Sequence, residues 1–173
     1  MGLFRRGDDE DGPGAGSRYQ MRQRLLSIGD DYWIEHEDGS RAYRVDGKAL
    51  RIRKTFVLED IAGTELARIR ERKLTIRDRI AIEREGDTAA TVHKALVGFR
   101  DRFAIDVEHG ADMKAHGNVV DHEYEIERDG NPVAQISKRW FRVRDTYGVE
   151  VEAGEDVGLV LATVVALESL TDE

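Results

Sequence analysis

An almost uninterrupted apolar segment near the carboxyl end, residues 156–170, constrains the fold more than any other feature of the chain. Val, Leu and Ala fill most of its positions, so a helix formed here would be apolar on every face. The segment is shorter than the ~20 residues that cross a bilayer, and Thr163, Glu168 and Ser169 interrupt it. The sequence therefore predicts a helix buried in a protein core rather than a membrane anchor.

The preceding part of the chain has the pattern of short antiparallel strands. Runs of β-branched and aromatic residues alternate with turn pairs such as Asp38-Gly39 and Asp129-Gly130. Within the runs, apolar residues recur at every second position, which gives each strand one apolar face. Strands are predicted over residues 19–25, 32–37, 42–46, 55–59, 65–72, 75–83, 89–94, 103–108, 124–127, 134–140 and 147–151. Such strands predict a closed or nearly closed β-barrel with the apolar helix inside it.

Composition sets the domain organisation and the compartment that we expect. The chain has 173 residues, no cysteine and a formal net charge of -8. Its first residues are rich in Gly and Asp and lack the apolar run of a secretory signal, so we expect a cytoplasmic protein. The prediction is a disordered tail over residues 1–17 and one barrel domain over residues 18–173, with its central helix at 156–170.

Four segments of the chain resemble the LURP-one-related family. They are MRQRLLSIGDDYWIEHEDGSRAYRVDGKAL, FVLEDIAGTELARIRERKLTIRDRIAIERE, HGNVVDHEYEIERDGNPVAQISKRWF and DTYGVEVEAGEDVGLVLATVVALESL. The resemblance implies the Tubby C-terminal type of fold, which phospholipid scramblases share: a mainly β, antiparallel barrel of about twelve strands around a hydrophobic C-terminal helix. It also implies a binding module rather than an enzyme, because these segments are patterns of aliphatic residues and turns.

A basic strand face is the candidate binding site. Arg68, Arg70 and Arg72 recur at every second position and so share one face of a predicted strand. Guanidinium groups bind phosphate through paired hydrogen bonds, and the resemblance to Tubby-type domains implies phosphoinositide binding by surface Lys and Arg. The sequence thus predicts a site for anionic phospholipid head groups, with peripheral association at the membrane. Neighbouring strands are expected to extend it with Arg51, Arg53, Lys54, Arg77 and Arg79.

Two alternatives to lipid binding stay open at this point. Nearby acids would neutralise the basic face through weak surface ion pairs, with Glu65, Glu71, Asp78, Glu83 and Glu85 as the partners. The domain would then be a protein-interaction or scaffold module, in which exposed strand edges or residues 21–26 pair with another chain.

Other classes of site find little support in the sequence. His109, His116 and His122 match no zinc spacing, and the acids before the helix lack the pattern of a calcium loop. Asp156 is instead predicted to cap the helix. No nucleophile lies in a Gly-x-Ser-x-Gly turn. The acidic charge opposes nucleic-acid binding, and both tryptophans are expected to pack inside. We therefore predict no catalytic residue, no metal and no cofactor.

Overall fold

The protein is described by a computed structural model over residues 16–22, 31–47, 54–72, 78–95, 102–141 and 145–171. The predicted tail lies outside these residues except for Gly16 and Ser17. Within the described residues the chain forms twelve strands, a short 3-10 helix over Lys138–Trp140 and one α-helix. The elements are β1 Ser17–Arg22, β2 Tyr32–His36, β3 Arg41–Gly47, β4 Thr55–Asp60, β5 Glu65–Arg72, β6 Arg79–Arg84, β7 Asp87–Lys94, β8 Arg102–Val107, β9 Met113–Asn118, β10 Glu123–Arg128, β11 Asn131–Ser137, β12 Thr146–Val151 and α1 Val157–Thr171.

The strands form a closed antiparallel barrel, as the sequence predicted. Each strand pairs with the next in the chain, and β1 pairs with β12 as well as with β2. Closure therefore leaves none of the described strands as an unpaired sheet edge. Among the described residues, the shortest seam joins β1 to β2, with Tyr19 opposite His36 and Gln20 opposite Glu35.

The meander gives the barrel two distinct ends. Odd-numbered strands finish at one end, where α1 also finishes at Thr171, and we call this the upper end. At the lower end, each even-numbered strand from β2 to β10 is followed by a turn into the next odd-numbered strand. Helix α1 also begins at this end. Two of the lower turns use successive residues with positive φ: Glu85 at 51° with Gly86 at 88°, and Asp129 at 51° with Gly130 at 77°. These are the dihedral signs that two-residue hairpins require.

Helix α1 is the core of the barrel. Its side chains are buried all the way round from Leu159 to Leu170, and inward-facing residues of the strands pack against it. Complete burial stabilises a Leu or Val side chain by about 1.5–3 kcal/mol, so the helix and the wall depend on each other for their hydrophobic contacts. The buried Thr163 hydroxyl donates to the Leu159 carbonyl at 2.8 Å, which satisfies a polar group inside the apolar stripe. In the described part of the chain, no helix is both long and apolar enough to span a bilayer.

The first turn of α1 is capped as predicted. The Asp156 side chain accepts a hydrogen bond from the Leu159 amide at 3.0 Å. Arg84 at the end of β6 donates two hydrogen bonds to the same carboxylate, at 2.5 and 2.8 Å. The hydrogen bond from Arg84 is the main cause that lowers the pKa of Asp156 below its ordinary value of 3.8. Of the acids before the helix, Asp156 therefore caps its first turn.

Three sequence expectations about the fold were wrong. The strand predicted over residues 134–140 ends at Ser137, and Lys138–Trp140 form the 3-10 helix instead. Strand β9 was missed, because only Met113 and Ala115 of its residues point inward and the rest of the strand is polar or Gly. The tryptophans lie on the outer wall, not in the core. Trp33 stacks beneath Arg41, with 4.5 Å from the guanidinium carbon to the ring centroid, and Trp140 stacks beneath Arg18 at 4.8 Å. Both rings therefore cover outward-facing strand residues and bind cations through their π-faces.

Candidate functional site

The predicted basic face lies on the outer wall, on β5. Arg68, Arg70 and Arg72 alternate with the buried Ala67, Ile69 and Glu71, as the period-two pattern requires. Register places Arg79 directly opposite Arg72 across the β5–β6 pair. The backbone of Lys54 is hydrogen bonded to that of Glu71, so Lys54 lies beside the upper end of β5. The predicted residues Arg51, Arg53 and Arg77 lie outside the described residues.

Carboxylates neutralise the middle of this face. Glu65 accepts two hydrogen bonds from Arg68, at 2.9 and 3.1 Å, and the bonding raises the pKa of Arg68. Glu83 on β6 lies 3.6 Å from Arg70 and 3.3 Å from Arg72. Ion pairs of this exposed kind contribute about 0–1 kcal/mol to stability, but they reduce the charge that a phosphate would meet. Glu65 and Glu83 therefore neutralise part of the positive charge of Arg68, Arg70 and Arg72.

A different set of cations follows the upper end of the barrel. Lys54, Arg72, Arg79, Lys94 and Arg102 lie at the upper ends of five consecutive strands, β4 to β8, and we call them the cationic rim. Neighbouring strands are ~4.8 Å apart, so the rim extends over about 20 Å. Apart from Arg72, none of the rim residues forms an ion pair with any carboxylate in the described ranges. Arg79, Lys94 and Arg102 are also exposed to solvent.

Further cations surround the same end on the other side of the barrel. Arg22 ends β1 and is exposed, and Lys138 and Arg139 follow β11. The Arg139 side chain is 86% exposed, and its nearest carboxylate, that of Glu123, is 3.9 Å away. Acids also lie at this end: Asp31 pairs with Arg44, and Asp121 accepts a hydrogen bond from Asn118. The others include Asp46, Asp78 and Asp145.

The lower end of the barrel is acidic. Its turns and strand ends carry Glu37, Asp38, Asp60, Glu65, Glu85, Asp87, Glu108, Asp112, Asp129, Glu152, Glu155 and Asp156. Several of the cations near these acids are already paired, as Arg84 is with Asp156 and Arg128 with Glu155. The described acids are thus concentrated at the lower end, whereas the upper end combines the cations with a smaller number of acids. A net charge of -8 is therefore compatible with a group of cations at one end.

The histidine-rich segment does not form a metal centre. His116 on β9 lies 3.3 Å from Glu127 on β10, whereas His122 lies 3.0 Å from Glu168 of α1. Glu123 instead accepts hydrogen bonds from the hydroxyl and backbone around Ser137. Across the ranges that the structure describes, no group of three or more His, Cys, Asp or Glu is arranged to hold a metal ion.

Sequence reasoning missed the rim residues Lys94 and Arg102. Lys94 ends β7 and Arg102 begins β8. Nothing in the local sequence around either residue indicates that the two lie close together. The pairing of β7 with β8 brings them together, because it places Lys94 opposite Phe103, the residue next to Arg102. The available signal was positional, since each of them lies at the boundary of a predicted strand.

Comparison with known proteins agrees with this architecture. A solved X-ray structure of a protein from Arabidopsis thaliana superposes with a TM-score of 0.64, covering 92% of this chain and 94% of that one, at 16% sequence identity. That likeness shows the fold. No curated protein sequence matches the chain. The family model for LURP-one-related proteins matches residues 17–168, from the first strand almost to the end of α1. The chain therefore belongs to the LURP-one-related family.

Proposed function

We propose that this LURP-one-related domain is a non-enzymatic module that binds anionic phospholipid surfaces through the upper end of its barrel. The observation that carries the proposal is the cationic rim, whose residues line consecutive strands with few acidic partners. Phosphate groups favour Arg through paired hydrogen bonds and Lys as a point charge. The Tubby type of fold, which the resemblance to the LURP-one-related family implies, occurs in animal domains that bind phosphoinositides, and this supports the same chemistry.

The uneven distribution of charge along the barrel would orient the protein on an anionic membrane. An anionic membrane would attract the cations of the upper end and repel the acidic lower end, so the upper end would face the bilayer. Basic residues near a charged membrane contribute about 1 kcal/mol each, and the contribution falls off within a Debye length of ~8–10 Å. Several rim residues together would therefore support reversible peripheral binding at the cytoplasmic face, without insertion of a helix.

The first test is co-sedimentation of the full chain with neutral and anionic vesicles across a salt series. The rim variant Arg79→Glu/Lys94→Glu is compared with a lower-end variant, Arg41→Glu/Lys114→Glu, whose two cations are also exposed and whose charge changes equally. We expect binding only to anionic vesicles, weakening with salt, lost in the rim variant and retained in the lower-end variant.

Three results would count against the proposal. Failure of the unaltered chain to bind anionic vesicles at low salt would rule out the lipid function. Equal loss in both double variants would mean that net charge alone drives association, without a rim site. If Arg68→Gln/Arg70→Gln abolished binding and the rim variant did not, the site would be the β5 face that the sequence indicated.

The alternative function is a protein-interaction or scaffold module. Docking through side chains remains open to it, whereas pairing at an exposed strand edge does not. The closed barrel leaves no unpaired edge among the described strands, so a partner could not bind by adding a strand there. A partner with an acidic surface would instead dock on the upper end through side chains. Salt-sensitive capture of an acidic protein, with no vesicle binding, would favour this alternative.

A further inference from the structure

The turn between β9 and β10, residues 119–122, presents an apolar side chain to solvent at the upper end of the barrel. Val120 is 61% exposed, whereas its neighbour Val119 is completely buried in the core. Among the described residues, Ile61 is the other large apolar side chain of comparable exposure, and it lies in the lower turn between β4 and β5. Single exposed apolar residues are ordinary, so the meaning of Val120 depends on what holds and surrounds it.

Hydrogen bonds within the turn fix its backbone. The Asn118 side chain donates to the Asp121 carboxylate at 2.6 Å, and its amide oxygen accepts from the Asp121 backbone amide at 3.0 Å. The backbone amide of His122 donates to the carbonyl of Val119 at 3.1 Å. Because Val119 points into the core and the backbone is fixed around it, Val120 is held facing outward.

The side chain of His122 anchors the turn to the rest of the barrel. Its Nδ1 lies 3.0 Å from Glu168 Oε1 near the end of α1, and its ring stacks on Tyr147 of β12, with centroids 4.2 Å apart and planes at 7°. The His122 backbone has a φ of 53°, which few non-glycine residues adopt. Folding the turn inwards to hide Val120 would break these contacts, so its exposure to water is a lasting feature of the folded protein.

Exposed cations lie on both sides of the turn. On one side, Arg102 of β8 is opposite His116 of β9, two residues before β9 ends at Asn118. On the other side, Arg139 follows β11, and its Nε lies 3.9 Å from the carboxylate of Glu123, the first residue of β10. Neighbouring strands are ~4.8 Å apart, so positive charge lies one strand away from the turn in both directions.

An exposed apolar side chain between cations matches the layers of an anionic membrane. Acyl chains begin directly beneath the charged head groups, so a residue beside membrane-bound cations lies close to hydrocarbon. Asp121 in the turn is also exposed and opposes this attraction, but its carboxylate is already bound by Asn118. The comparable Ile61 lies instead among acids of the lower end, such as Asp60, which an anionic membrane repels.

We propose that the turn between β9 and β10 is a membrane-insertion element, in which Val120 enters the boundary between the head groups and the acyl chains of an anionic bilayer. The inference rests on the proposed function and adds a second source of affinity to it. Attraction between the cations and the membrane weakens with salt, whereas burial of the Val120 side chain depends on the apolar area removed from water.

The test uses the absence of cysteine from the chain, which allows one label at a chosen position. Full-length Val120→Cys and Ile61→Cys, each labelled with nitrobenzoxadiazole, are mixed with phosphatidylserine–phosphatidylcholine vesicles. We expect blue-shifted, brighter emission from position 120, quenched by phospholipid spin-labelled in its acyl chains, and little change at position 61. Without labels, Val120→Ser should bind these vesicles about three- to tenfold more weakly with an unchanged dependence on salt, and Ile61→Ser should lose less than about twofold.

The outcomes separate this inference from the function on which it rests. If the unaltered chain binds anionic vesicles but the label at position 120 stays in water, or if Val120→Ser binds as tightly as the unaltered chain, insertion is overturned and the lipid function stands. An equal response of the labels at positions 120 and 61 would mean adsorption without a preferred end and would also overturn it. No binding of the unaltered chain would overturn both. Because Val120 and Ile61 are exposed, their substitution leaves the core intact.

Discussion

Arg84 on the barrel wall and Asp156 at the start of α1 are joined by two hydrogen bonds, of 2.5 and 2.8 Å. The contact links residues 72 positions apart in sequence and fixes the place at which the helix enters the barrel. Asp156 also accepts the amide of Leu159, so one carboxylate both caps the helix and anchors it to β6.

Separating these two roles gives the first prediction. Asp156→Asn keeps a capping oxygen but loses the ion pair with Arg84, whereas Asp156→Ala loses both. We expect Asp156→Ala to lower the free energy of unfolding by about 0.5–2 kcal/mol, the usual cost of a lost cap, and Asp156→Asn to cost less. Urea denaturation followed by circular dichroism measures both. Equal stability of the Ala variant and the unaltered chain would contradict the cap.

The same contact predicts a dependence on pH. Because the folded-state pKa of Asp156 is lowered below 3.8, the contribution is fully present above that value and is lost as pH falls through the lower, folded-state pKa. The stability difference between the unaltered chain and Asp156→Asn should therefore be constant near neutral pH and shrink below about pH 4. Denaturation midpoints of the two proteins, compared from pH 7 to pH 2.5, test this.

Burial of α1 predicts the response of its side chains to truncation. Leu161 is fully buried between helix and wall, whereas Ile61 in a lower turn is 69% exposed. We expect Leu161→Ala to cost about 2–5 kcal/mol, from lost burial and the cavity left behind, and Ile61→Ala to change the stability by less than about 0.5 kcal/mol. Similar, small effects of both substitutions on the denaturation midpoint would show that the helix is not the core.

Gly148 on β12 is predicted to tolerate no side chain. A Cβ atom there would lie 2.6 Å from Trp140 and 2.8 Å from Phe141, so the rings would have to move off the wall. We expect Gly148→Ala to cost about 1–3 kcal/mol, as overpacking usually does. Gly110→Ala is the control, since its Cβ would meet only Val107 at an ordinary 3.4 Å. Equal thermal stability of the two variants would contradict the close packing of Trp140.

Glu83 is predicted to weaken vesicle binding in the unaltered chain. Its carboxylate lies near both Arg70 and Arg72, and Glu83→Gln would release these guanidinium groups. We expect affinity for anionic vesicles to rise about two- to fivefold, since one charge near a membrane contributes about 1 kcal/mol. Glu85→Gln, which removes the same charge in a lower turn, is the control and should change the affinity less. A fall in affinity in Glu83→Gln would contradict the head-group role of this face.

The sequence by itself determined the architecture, because periodicity and turn chemistry are local. Residues 156–170 could be recognised as a core helix, and α1 is found at Val157–Thr171. The strand predicted over residues 65–72 coincides with β5, since Ala67 and Ile69 alternate with Arg68, Arg70 and Arg72. Strand β9 could not be recognised, because its outward residues are polar and Gly117 takes the place of a third inward side chain after Met113 and Ala115.

Tertiary structure alone decided which charges act together. Period two places Arg68, Arg70 and Arg72 on one face, but only the register with β6 brings Glu83 to Arg70 and Arg72. The pairing of β7 with β8 likewise brings Lys94 beside Arg102, and assembly of the barrel around α1 brings His122 to 3.0 Å from Glu168. Local sequence encodes the direction of a side chain relative to its own strand. Its neighbours depend on strand pairing across the whole chain, which the requirement to bury α1 fixes.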